Sequence, residues 1–87
     1  MSINWYKIGN VDEFEKKGVP QIELTRELED LGQVDIVLIF GFNFSVIFNG
    51  EMLTIGLNGR NPFYKEKTSA YIDPQTRDLW VGYEVNM

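Results

Sequence analysis

The apolar and polar positions change period several times along this chain. Residues 34–40 (VDIVLIF) place Val34, Ile36, Leu38 and Phe40 on one side and Val37 and Ile39 on the other, with only Asp35 interrupting. A strand apolar on both faces belongs in the middle of a covered sheet. Residues 44–55 (FSVIFNGEMLTI) read as a hairpin, because Asn49-Gly50 is the preferred pair for a two-residue type I′ turn. That turn sets Phe48 opposite Glu51, Ile47 opposite Met52, Val46 opposite Leu53, Ser45 opposite Thr54 and Phe44 opposite Ile55. A short connection at 41–43 then brings Val37 beside Ile47 and Ile39 beside Ser45. Phe44, Val46, Leu53 and Ile55 make a core face. Val37, Ile39, Ile47 and Met52 make an apolar island on the other face, and Phe48 and Met52 are expected to stay exposed at the tip.

Before this hairpin, residues 3–8 (INWYKI) have the aromatic and β-branched content of a strand. Asn10 offers a cap for a short helix over 11–17, which Gly18 ends. Residues 21–24 form a short extended piece. Leu24, Leu28 and Leu31, spaced by four and three, predict a two-turn helix over 25–31 with Glu27, Glu29 and Asp30 outward and Gly32 as its C-cap. The leucine face of this helix is the natural lid for the island. Residues 56–67, dense in Gly, Asn and Pro, read as a loop, and strands follow at 68–72 and 79–85. Asp73-Pro74 between them suits the start of a type I turn. The expected fold is α+β: one domain over 1–87, with an antiparallel sheet of about five strands and one or two short helices. A small, partly closed β-barrel with one helix is the alternative.

Composition narrows the chemistry. The 87 residues are 44% hydrophobic and 24% charged, as in an ordinary globular domain, and they include no cysteine and no histidine. Thiol catalysis, serine triads with a histidine base, Cys/His zinc sites and histidine-ligated iron are thereby excluded. No calcium-loop or Walker-type glycine pattern occurs. The expectation is a protein that is not an enzyme and needs no metal or cofactor. The absence of cysteine favours a reducing compartment. The opening MSINWYKIG also lacks the basic and apolar regions of a signal peptide, so a cytoplasmic location is expected.

The net charge of −5 is uneven: residues 1–40 hold eight acids and four bases, residues 41–87 five acids and four bases. Nucleic acid calls for the opposite sign, so direct binding is not expected, although the basic loop 60–67 with Phe63 and Tyr64 has the residue types for base stacking. An acidic face suits a basic protein surface, including one that itself binds nucleic acid. The candidate contact residues are Glu27, Glu29, Asp30 and Asp35, together with Ile47, Phe48 and Met52 at the hairpin tip.

Trp5-Tyr6-Lys7-Ile8, followed by Val11-Asp12-Glu13-Phe14 and Gly18, resembles the first strand and turn of Rieske-type domains. The start is similar to that of the small subunit of assimilatory nitrite reductases, and Asn61-Pro62-Phe63 resembles a loop in it. The cysteines and histidines that hold the cluster in that family have no counterpart here. The resemblance therefore implies an all-β accessory subunit of a larger enzyme, a degenerate Rieske-like domain without its cluster. The residues themselves favour another reading: a small acidic stoichiometric inhibitor of the phage- or plasmid-encoded kind, such as an anti-defence (anti-CRISPR-like) protein, a nuclease inhibitor or an immunity protein. Self-assembly into a homo-oligomer is a further use for an uncovered apolar face.

Overall fold

A computed structural model describes residues 2–41, 43–55 and 67–85, and the backbone of 63–65. The chain runs β1 (Ser2–Asn10), α1 (Val11–Lys16), β2 (Gln21–Leu28), β3 (Gly32–Ile39), β4 (Phe44–Phe48), β5 (Glu51–Ile55), β6 (Phe63–Lys65), β7 (Thr68–Ile72) and β8 (Asp78–Val85). Two four-stranded antiparallel sheets result, in the orders β1-β8-β7-β6 and β2-β3-β4-β5. They share one core: Ile36, Leu38, Phe44, Val46, Phe48 and Leu53 from one sheet meet Ile8, Ala70, Ile72, Leu79 and Val81 from the other. Among the described residues the architecture is thus antiparallel β with one short helix, and the strands divide between two sheets instead of forming one sheet or a closed barrel. No helix among the described residues is long and apolar enough to cross a membrane.

The hairpin takes the expected register at every pair from Phe44↔Ile55 to Phe48↔Glu51, and Val37 does face Ile47, as Ile39 does Ser45. Its turn has Asn49 at φ 51° and Gly50 at φ 80°, the left-handed conformations that a type I′ turn requires. Asn10 caps α1 as expected, its Oδ1 accepting from the backbone N–H of Asp12 at 3.0 Å and of Glu13 at 3.3 Å. Its amide Nδ2 donates to the Thr76 carbonyl at 2.9 Å, so one side chain ties the start of α1 to the β7–β8 turn. In that turn Asp73 Oδ1 accepts from Gln75 and Thr76 N–H at 2.8 and 3.3 Å, the local bonding that favours Asp at a turn's first position.

Two expectations are corrected. The helix over 25–31 does not form: residues 25–28 are the second half of β2, and 29–31 are the turn into β3. Leu24 and Leu28 face inward because they are four apart, a spacing that strand alternation satisfies as well as a helix does. The leucine lid over the island therefore does not exist. Phe48, expected at an exposed tip, is fully buried, because it shares the inward parity of Phe44 and Val46. The loop 56–67 lies outside the described residues, apart from the backbone of β6 and Lys67.

β3 pairs with β4 only over residues 37–39, whereas it pairs with β2 along its whole length. The β2–β3 hairpin thus runs on past the sheet as a two-stranded arm. The arm is tied to β1: Asp30 in its turn accepts hydrogen bonds from the Asn4 amide and, at 2.8 Å, from the Tyr6 hydroxyl. Arg26 Nη2 donates to the Ile8 carbonyl at 3.0 Å. These contacts close the core over Leu28 and Val34, which are buried on the arm's inner side.

Candidate protein-binding faces

Strand alternation turns Gln21, Glu23, Thr25 and Glu27 of β2 outward, and the ladder lines them up with the outward residues of β3, β4 and β5. One row across the sheet reads Glu23, Val37, Ile47, Met52. The next reads Gln21, Ile39, Ser45, Thr54. Along the arm, Thr25 lies beside Asp35 and Glu27 beside Gln33. The apolar island is therefore real and faces outward. Met52 is 48% exposed, and Val37, Ile39 and Ile47 are half-buried.

The acids frame this island on the β2 side. Glu23, Glu27 and Asp35 are exposed and share one face, and among the described residues none of them has a cation partner. Glu23 accepts from Gln21 Nε2 at 3.0 Å, and Asp35 accepts from the Thr25 hydroxyl at 2.9 Å. Neutral donors hold these carboxylates in place without cancelling their charge. A shallow open depression between Glu23, Thr25, Asp35 and Val37 follows the β2–β3 ladder.

The seven residues singled out in the sequence divide three ways. Glu27, Asp35, Ile47 and Met52 come together on the outer face of this sheet. Glu29 is exposed in the arm's turn, at the end of the acidic row. Asp30 is exposed in the arm's turn and hydrogen-bonded to β1, and Phe48 fills the core. The Tyr6 phenol is pushed above its ordinary pKa by burial first, and then by its hydrogen bond to Asp30 and the nearby negative charge. Asp78 lies on the other sheet. Its carboxyl is held below the usual range by hydrogen bonds from the Thr76 and Asn10 side chains, with Lys7 adding a smaller attraction at 3.5 Å.

Two sets of surface residues escaped the sequence reading. Glu23 belongs to the acidic row, and the alternation Gln21, Glu23, Thr25, Glu27 against Ile22, Leu24 and Leu28 was the signal for it. Trp5, Tyr71 and Trp80 gather on the outer face of the other sheet, which only the pairing of β1, β8 and β7 brings about. The described residues hold no cluster of three or more side chains suited to a metal ion. Comparison with protein-family models, with curated proteins and with solved structures yields no match to this chain.

Proposed function

We propose that this protein is a non-catalytic binding module that engages another protein through the outer face of the β2–β5 sheet. The observation that carries the reading is the outward-facing island of Val37, Ile39, Ile47 and Met52, bordered by Glu23, Glu27 and Asp35, which have no cation partner among the described residues. An apolar centre with a charged rim is the anatomy of a protein interface. The sign of the rim selects a basic surface, of the kind that nucleic-acid-handling proteins present. A flat, rigid sheet face suits a stoichiometric inhibitor that covers a site, because little conformational freedom is lost on docking. We place the protein with small acidic inhibitors of the anti-defence, nuclease-inhibitor or immunity kind.

The same uncovered island would also serve a permanent accessory subunit, which gives the second reading. The two differ in behaviour without a partner: an inhibitor is well behaved alone, whereas a permanent subunit with this face unfilled aggregates. The deciding experiment is affinity capture from cells that carry the candidate target, with wild type and Ile47→Asp compared at low and high salt. One dominant one-to-one partner that the wild type retains and Ile47→Asp loses supports the assignment. Equal capture by both proteins removes this face from consideration.

A further inference from the structure

β2 lies at the edge of its sheet, and its hydrogen bonds to β3 fix what that edge presents. Phe40 N–H donates to the Pro20 carbonyl at 2.9 Å, which makes Pro20 and Phe40 a hydrogen-bonded pair of the antiparallel ladder. The register then runs without a shift to Leu28↔Gly32, so the alternate residues Ile22, Leu24, Arg26 and Leu28 bond to β3. The N–H and C=O groups of Gln21, Glu23, Thr25 and Glu27 therefore point away from β3. Among the described residues, no group bonds to any of them. The side chains of the same four residues stand on the outer face, with Glu23 and Glu27 on either side of Thr25. On the inner side Leu24 is half-buried, and Arg26 is exposed with its guanidinium held on the Ile8 carbonyl.

We infer that this edge receives an extended segment of the partner protein as an added antiparallel strand. The segment carries Lys or Arg opposite Glu23 and Glu27, and apolar residues opposite Leu24 and Arg26. In strand addition the peptide groups provide affinity, and the alternate side chains select the sequence. An unpaired edge is open to any strand, so the residues beside it decide the occupant. A second copy of β2 gains nothing there. Antiparallel pairing centred on Thr25 sets Glu23 against Glu27 twice, and pairing centred on Glu23 sets that residue against itself. Pairing centred on Leu24 leaves both glutamates opposite neutral residues. A strand with two bases four residues apart meets attraction at both places, because neither carboxylate has a cation partner among the described residues. On the inner side Arg26 repels a third base, and Leu24 gains apolar cover. The inference rests on the protein-binding reading for its basic partner and adds the way that partner is held.

The probe is the capped peptide TKVTVKT, whose lysines lie opposite Glu27 and Glu23 in the antiparallel register. Its binding to the full, isotope-labelled chain is followed by titration and by amide hydrogen exchange. The peptide should slow exchange at the Glu23, Thr25 and Glu27 amides by about tenfold or more, while Leu24 and Arg26 are protected throughout. TEVTVET should bind at least about tenfold more weakly. N-methylation of the central threonine removes an N–H that faces β2 without changing charge and should abolish binding, whereas N-methylation of a valine should not. Thr25→Pro should also lose the peptide with the β-sheet circular dichroism retained, because that N–H has no part in the β3 ladder. Absence of binding at millimolar peptide overturns the proposal. So does binding indifferent to the methylated threonine, or prior protection of the Glu23, Thr25 and Glu27 amides in the free chain. Peptide kept by Thr25→Pro but lost by Ile47→Asp overturns the edge and leaves the outer face as the binding surface. The protein-binding reading fails separately, through equal partner capture by wild type and Ile47→Asp, whatever the peptide does.

Discussion

Phe48 and Met52 sit at the same end of one hairpin, yet the first is fully buried and the second is 48% exposed. Strand parity alone separates them, since Phe48 shares its face with Val46 and Met52 shares its face with Ile47. Truncating Phe48→Ala should therefore cost about 3–5 kcal/mol in urea denaturation, whereas Met52→Ala should change stability by no more than about 0.5 kcal/mol. If the proposed interface is correct, Met52→Ala weakens partner binding instead. The two shifted titrations make opposite predictions. Tyr6 has a raised pKa in the fold, so the unfolded chain loses its proton first, and stability should fall as pH rises above 10.0. Tyr6→Phe should remove that alkaline loss, visible in denaturation midpoints compared at neutral and high pH. Asp78 has a lowered pKa, so its contribution is complete above 3.8 and is lost as pH falls through its folded value. Asp78→Asn should flatten the acid limb of the stability profile.

At the scale of elements, residues 21–32 show how one pattern can satisfy two periods. Leucines four apart face the same way in a helix and in a strand, and a left-handed glycine ends a helix as readily as it closes a three-residue hairpin turn. Gly32, at φ 70°, does the second here, with Leu31 N–H bonded to the Leu28 carbonyl at 3.2 Å. The polar residues Glu23, Thr25 and Glu27 at every second place were the sign of a strand, and Arg26 on the inward side hid the alternation. Arg26 is tolerated there because its guanidinium crosses to β1 and donates to the Ile8 carbonyl. Gly32→Ala should destabilise the arm by about 1–2 kcal/mol, the cost of forcing a Cβ into the left-handed region. The hydrogen exchange of residues 25–36 would report it, with the β4–β5 hairpin unaffected.

At the scale of the molecule, the net charge of −5 is distributed so that Glu23, Glu27 and Asp35 border an apolar patch. Fields of this kind act on encounter rate and salt dependence more than on final affinity. Reversing Glu23 and Glu27 to Lys shifts the net charge by four, from −5 to −1. The double variant should associate with its basic partner at least about tenfold more slowly at low salt, and its rate should lose most of its salt dependence. Folding stability should be nearly unchanged, since both carboxylates are exposed. An unaltered association rate would mean that the acids serve solubility alone.

The sequence alone determined whatever depends on neighbours along the chain. The Asn49-Gly50 turn settled the hairpin register, Asn10 the helix cap, Asp73-Pro74 the turn before β8, and the missing Cys and His the excluded chemistries. Only the tertiary structure decided which apolar surface stays uncovered. It divided the strands into two sheets, tied Asp30 to Asn4 and Tyr6, buried Phe48, and brought Trp5 of β1 onto one face with Tyr71 and Trp80 of the β7–β8 hairpin. The physical reason is that burial belongs to a surface and to what lies across from it. For residues 21–31 local spacing allowed both a lid and an exposed edge, and the hydrogen bonds to β3 and β1 chose between them.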